Sequence, residues 1–259
     1  MRSILVVALL VLALPAAASP PAVNLVALGE DGALIVFTAD RPDRIRRIEP
    51  SGVGARLIGI DTRPADGRLY GLTAANDLYR IDPATGQATL VSTLTVPFDG
   101  EARSGIDFNP QADRLRLVGV DGQNLRVHPT LGATAVDRPL AYRDGDPNAG
   151  RRPRVTAAAY TNAVAGAVTT KLFAIDAERD VLVLQDPPND GLLTTIGALG
   201  VDFGPLGGFD IVTDPGGQDH AWAASGATLY TVDLGTGRAT PAGTIGAPGL
   251  SVVSLSAVE

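Results

Sequence analysis

The chain carries a module of short apolar runs that returns about every 50 residues, the length that one four-stranded propeller blade needs. The module runs Ile58-Gly59-Ile60-Asp61, Leu69-Tyr70-Gly71-Leu72, Leu78-Tyr79-Arg80-Ile81-Asp82-Pro83, then Gly86 and Ala88-Thr89-Leu90-Val91. The same order comes back three more times. Each run is rich in apolar, β-branched or aromatic residues and is bounded by Gly, Pro, Asn or Asp, as strands between tight turns are. The 30 glycines and 19 prolines suit many turns and oppose long helices.

Four complete modules predict innermost strands at 57–61, 104–108, 155–161 and 208–212. Three further strands follow each of these outward, ending at 88–94, 134–140, 192–199 and 239–245. The segments 25–29, 34–38 and 45–49 read as a blade lacking its innermost strand, and 251–256 reads as an innermost strand with nothing after it. One split blade resolves both ends and leaves no open sheet edge. The expected fold is therefore an all-β, five-bladed propeller of four-stranded antiparallel sheets. Six blades is the alternative and requires strands within 141–154, which reads as a loop. The third strand of every complete module ends in one slot, Asp82, His128, Asp186 or Asp233, followed by Gly86, Gly132, Gly191 or Gly237. Aspartate accepting from nearby backbone N–H groups, with glycine supplying positive φ, makes a turn between the third and fourth strands.

Residues 1–19 read as an export signal: Arg2, an apolar stretch from Ile4 to Leu14, and Ala16-Ala17-Ala18 as a signal-peptidase site. The stretch is too short to span a bilayer, which takes about 20 residues. The expected destination is the periplasm or the medium, with residues 20–259 as a single soluble domain that does not insert into a membrane. No cysteine is present, which excludes disulfides, thiolate metal sites and cysteine catalysis. Without Arg2, 20 basic side chains face 28 acidic ones, a balance that argues against nucleic acid as a partner.

Several longer motifs carry a resemblance: Asp107-Phe108-Asn109-Pro110-Gln111-Ala112-Asp113-Arg114, Gly122-Gln123-Asn124-Leu125-Arg126, Gly145-Asp146-Pro147-Asn148-Ala149-Gly150, Ala159-Tyr160-Thr161-Asn162 and Gln185-Asp186-Pro187-Pro188-Asn189-Asp190-Gly191. Over essentially the whole mature chain the sequence resembles the bacterial family called domain of unknown function 4394. The resemblance implies a secreted bacterial propeller and supplies no activity. His128-Pro129 departs from the Asn-Pro or Asp-Pro turn usual in related sequences, which speaks against a catalytic role for this histidine.

Three groups are candidate sites. Asp144, Asp146 and Asn148 place oxygens at alternate positions, as a calcium loop begins. Ala149 and Val155, however, stand where an EF-hand loop needs its glycine and its glutamate. The competing reading is a rigid connection in which Asp and Asn bond their own backbone. This connection shares a face with the turns between second and third strands, which makes that face the expected ligand face. Arg126 and Arg154, with Asn162, are the expected ligand contacts, since guanidinium groups bind anions by paired hydrogen bonds. Pairing with local aspartates is the competing reading for these arginines. Asp61, Asp107 and Asp210 end innermost strands, with Tyr160 in the corresponding place of the third module. They read either as axial carboxylates for a cation, a polar ligand or acid–base work, or as a turn cap repeated with the blade.

His128 and His220 lack any zinc spacing, and no nucleophile elbow, Walker loop or dinucleotide fingerprint occurs. The expected function is a non-catalytic module that binds an unidentified small molecule, glycan or protein as a monomer, with no cofactor unless calcium. A hydrolase or lactonase-type enzyme using axial carboxylates and calcium is the alternative. Mass spectrometry of the exported protein is expected to find an N-terminus at Ser19 or Pro20; an intact Met1 terminus on exported protein would overturn the signal assignment.

Overall fold

The computed structural model describes residues 23–258, and the export signal expected over residues 1–19 lies outside them. Strands β1 (Asn24–Gly29), β2 (Leu34–Thr38) and β3 (Arg41–Ile48) open the chain. Blade one is β4 (Leu57–Arg63), β5 (Arg68–Thr73), β6 (Asp77–Ile81) and β7 (Ala88–Thr93). Blade two is β8 (Ser104–Asn109), β9 (Arg114–Gly119), β10 (Asn124–Val127) and β11 (Thr134–Val136). After the two-residue strand β12 (Ala141–Tyr142) comes blade three, β13 (Val155–Tyr160), β14 (Leu172–Asp176), β15 (Val181–Gln185) and β16 (Leu192–Ala198). Blade four is β17 (Gly207–Thr213), β18 (Asp219–Ser225), β19 (Thr228–Val232) and β20 (Ala239–Thr244). The last strand, β21 (Val252–Val258), pairs antiparallel with β1, Asn24 opposite Val258, and completes the first sheet.

The protein is thus a five-bladed propeller whose split blade joins the two ends of the described chain. The segment 141–154 makes no sixth blade. It contributes only β12, which adds parallel to the outer edge of β16. The rest turns on itself, with Asp146 N–H donating to Arg143 O and Ala149 N–H to Asp146 O. No described helix is long and apolar enough to cross a membrane.

Five apolar clusters hold the ring, one at each seam between neighbouring blades. Ile58, Tyr70 and Leu78 of blade one meet Ile106, Leu117 and Leu125 of blade two. Trp222 and Leu229 of blade four meet Leu25, Ile35 and Leu255 of the split blade. Because both faces of a sheet are covered, its strands are apolar beyond simple alternation: Val181, Leu182 and Val183 in succession are buried.

The turn slot behaves as expected in blades one and four. Asp82 Oδ1 accepts from Ala84 N–H at 2.8 Å, and Asp233 Oδ1 from Gly235 and Thr236 N–H, both at 2.9 Å. His128 holds the same turn through its backbone, its carbonyl accepting from Gly132 N–H at 2.9 Å. In blade three a short 3-10 turn, Pro188–Asp190, stands in this place.

The glycine of each turn also lies against the outer edge of the preceding blade. A Cβ on Gly132 would come within 1.9 Å of Thr93 O, and one on Gly237 within 2.6 Å of Gly197 O. Across the first of these contacts Thr95 N–H donates to Gly132 O at 3.0 Å. Gly132 therefore answers two demands, a φ of +67° and a backbone neighbour. Gly132→Ala is expected to destabilise the protein by about 2–4 kcal/mol, as strained backbone and overpacking together do. Gly145→Ala, at φ +83° with nothing within 4 Å, should cost only the backbone part, about 1–2 kcal/mol. Denaturant unfolding of the two variants checks this; equal losses would show that the rim contact contributes nothing.

Candidate functional site at the channel mouth

Three glycine-x-aspartate steps build the axis. Gly59-Ile60-Asp61 lies in β4, Gly105-Ile106-Asp107 in β8 and Gly208-Phe209-Asp210 in β17. A Cβ on Gly105 or Gly208 would run into the backbone of the next innermost strand, at Ala158 and Leu255, so only glycine lets those strands come this close, while one on Gly59 would meet the Ile106 side chain. Two residues on, each carboxylate accepts from a backbone N–H of that same neighbour. Asp61 Oδ2 takes Phe108 N–H at 2.7 Å, Asp107 Oδ1 takes Tyr160 N–H at 3.2 Å, and Asp210 Oδ2 takes Ala257 N–H at 2.6 Å. In the split blade, Ser254 and Ser256 do the same for Ile60 and Thr62 at 3.1 and 2.9 Å.

This register corrects one sequence assignment. The third-blade equivalent of the three aspartates is Ala159, which pairs with Phe173 as Asp61 pairs with Tyr70, Asp107 with Arg116 and Asp210 with Trp222. Tyr160 is one residue further on and faces the other side of the sheet. Alanine cannot reach the next strand, and Ile211 N–H is taken instead by Asp210 Oδ1 at 2.7 Å. The aspartates are therefore not caps of the turns that follow them. They tie one innermost strand to the next.

At the axis the three carboxylates converge, with one oxygen of each within 4.8 Å of the others. All are buried, and none has an arginine, lysine or histidine partner among the described residues. Burial raises the Asp61 carboxyl well above the usual range, and the Asp210 charge raises it further. Asp107 is raised by burial and then by the charges of Asp61 and Asp210. Burial lifts Asp210 to about 6 against the two backbone N–H groups that favour its ionised form. Three like charges this close do not all ionise unless a cation joins them.

The triad opens into a cavity of about 530 Å³ at the channel mouth on the side of the turns between first and second strands. Its wall includes Asn24, Pro64, Ala163–Ala165 and Pro215. His220 also lines it, with Nε2 3.0 Å from Asp214 Oδ2. The expected ligand face, carrying the 144–154 connection, is the opposite one.

Of the three sequence-derived groups the structure brings together the axial aspartates; the side chains of the other two are taken up by neighbouring residues or lie exposed. Asp146 Oδ1 accepts from Asn148 N–H and Thr195 Oγ1, both at 2.8 Å, its Oδ2 accepts from Thr195 N–H at 2.7 Å, and Asn148 Nδ2 donates to Thr195 Oγ1 at 3.0 Å. These contacts pin the connection to β16 and, with burial opposing them, hold the Asp146 carboxyl below its usual range. Asp144 is exposed. Arg126 makes a paired contact with Asp137 at 2.7 and 2.9 Å. Arg154 reaches Glu178 at 3.2 Å beside the turns of the opposite face. Asn162 closes the neck of the 161–171 loop, donating from Nδ2 to Thr169 O at 2.8 Å. The signal for the axial cluster is the glycine-x-aspartate step itself, aligned across modules.

A family model described as domain of unknown function (DUF4394) matches residues 33–256. No protein of curated function matches the sequence. Among solved structures, a protein of unknown function from Bacteroides thetaiotaomicron is 14% identical with a TM-score of 0.52, the match covering 85% of this chain and 57% of that one. Virginiamycin B lyase from Staphylococcus aureus is 14% identical with a TM-score of 0.45, over 85% of this chain and 69% of that one. An auxiliary nutrient binding protein from B. thetaiotaomicron is 18% identical with a TM-score of 0.43, over 83% and 57%. At these identities the likeness is one of fold.

The raised carboxyls set a pH dependence for the metal-free protein. The folded state holds these protons more tightly than the unfolded chain, so the triad's own contribution to stability is full below pH about 4 and is lost as pH rises, through about 6 for Asp210. Asp210 alone, raised from 3.8 to about 6, contributes about 3 kcal/mol to that fall. In EDTA the Tm of the wild type is expected to drop between pH 5 and pH 8, and Asp107→Asn to flatten the drop. Parallel pH profiles for the two proteins would show that the triad is not strained by its charge.

Proposed function

The chain belongs to the domain of unknown function (DUF4394) family, and on that premise we propose that it is an exported, non-catalytic binding propeller that takes a small polar ligand in the channel-mouth cavity. The observation that carries this reading is the cavity of about 530 Å³ onto which three buried carboxylates open that have no arginine, lysine or histidine partner among the described residues. The volume lies within the range typical of small-molecule sites.

In this reading Asp61, Asp107 and Asp210 hold a calcium ion. Hard oxygen ligands suit calcium, and hydroxyl or carboxylate oxygens of the ligand would complete its shell. A dication answers the charge problem that the fold creates at the axis. The segment at residues 1–19 supports export to a compartment where calcium is plentiful. The connection carrying Asp144, Asp146 and Asn148 serves as a structural strap, since the side chains of Asp146 and Asn148 are occupied by β16. The second reading, a hydrolase of the lactonase type, is favoured by one observation: an imidazole, His220, oriented by Asp214 on the cavity wall.

Thermal unfolding in EDTA and in millimolar calcium tests the cation site, and a turnover assay separates the two readings. At pH 7.5 calcium is expected to raise the Tm by several degrees. The rise should shrink at pH 5, where protons compete for the same oxygens, and vanish in Asp107→Asn. No rise in the wild type would mean that the triad shares protons and holds no cation. Turnover of an ester or lactone that is abolished by His220→Ala would replace the binding reading with the hydrolytic one.

A further inference from the structure

The seam between blades two and three holds a second cavity, of about 270 Å³. The 161–171 loop separates it from the channel: Ala163–Ala165 line the first cavity and Thr170 the second. The two cavities have opposite chemistry. The first is lined by surplus carboxylate, the second by surplus hydrogen-bond donors.

Three arginines line the seam cavity: Arg114, Arg116 and Arg126. Only one carboxylate, Asp137, is within ion-pair distance of any of them among the described residues. Its Oδ2 accepts from Arg116 Nη1 and Arg126 Nε, both at 2.7 Å, and its Oδ1 from Arg126 Nη2 at 2.9 Å. Arg116 is buried, and neutral groups take its other donors: Asn124 Oδ1 and Asn189 Oδ1 at 2.7 Å each, and the Tyr160 hydroxyl at 3.3 Å. Arg114 donates only to the carbonyls of Ala112 and Asp113. The neighbouring Asp113 carboxylate is committed to Arg63. Three positive charges thus face one negative charge.

The hydroxyl of Tyr160 carries the argument further. Tyr160 is 2% exposed and lines the cavity. Its oxygen accepts from Arg116, and its own proton has no acceptor among the described residues. A buried hydroxyl proton without a partner costs free energy that an acceptor in the cavity would recover. Arg114 and Arg126 also keep guanidinium donors unspent at the same place.

We propose that this seam cavity is an oxyanion subsite that binds the carboxylate or phosphate group of a small molecule through Arg114, Arg126 and the Tyr160 hydroxyl. It uses none of the axial residues and needs no metal, so it stands or falls apart from the calcium site.

Calorimetric titration in EDTA at low chloride tests it, with inorganic phosphate, D-galacturonate and neutral D-galactose as probes. At least one anion is expected to bind saturably while galactose does not. Preference for phosphate would assign the subsite to phosphorylated ligands, and preference for galacturonate to sugar acids. Arg114→Gln, whose side chain holds no carboxylate, should weaken anion binding by about tenfold or more with the Tm unchanged. Tyr160→Phe should weaken it as well. Absence of saturable binding by either anion at millimolar concentration overturns the proposal. So does undiminished binding by Arg114→Gln, or equal binding of galactose.

Discussion

Everything in this propeller depends on how closely one innermost strand approaches the next. Strands of separate sheets share no hydrogen-bond ladder, so their facing backbone groups need other partners. Gly59, Gly105 and Gly208 remove the side chain that would hold the strands apart. Asp61, Asp107 and Asp210 then reach across to the N–H groups left facing the gap. The same step that closes the ring also brings three carboxylates to one point on its axis. Ring closure and the charge problem at the axis are one consequence of one motif.

The ring would be a plain repeat if all five steps were alike, and they are not. The split blade uses serines, which satisfy the same backbone groups without charge. Blade three uses Ala157 and Ala159, which do neither, and Asp210 compensates by capping Ile211 with its second oxygen. The carboxylates therefore sit on three of five positions. Repetition alone predicts a structural role, and the structural role is real. The departures from repetition are what leave a charged, asymmetric cluster open to a cavity.

Blade three breaks the pattern elsewhere as well. Its loop at 161–171 stands between the acidic channel cavity and the donor-rich seam cavity. The strap at 141–154 fastens to its outer edge, with the Tyr142 hydroxyl donating to buried Asp176 at 2.6 Å. Both candidate sites thus lie beside the blade that least resembles the others.

The number of blades, the split blade and nearly every strand were legible in the sequence, because each module carries its own apolar runs and turn residues. The aspartate turns at Asp82 and Asp233 were legible for the same reason, since their partners lie within three residues. What tertiary structure decided were the contacts between modules. Whether Asp61, Asp107 and Asp210 cap a turn or meet at the axis depends on strands some fifty to 150 residues apart along the chain. The one-residue offset between Tyr160 and Ala159 depends on cross-strand register, which local composition does not specify. Arg126 and Asn162 were visible as polar residues, and their partners lie nearby in the chain, Asp137 in the same blade and Thr169 in the same loop, but which nearby acceptor each takes is set by how that blade and that loop turn. Local order is written in local residues; a site assembled from five blades exists only once the ring has closed.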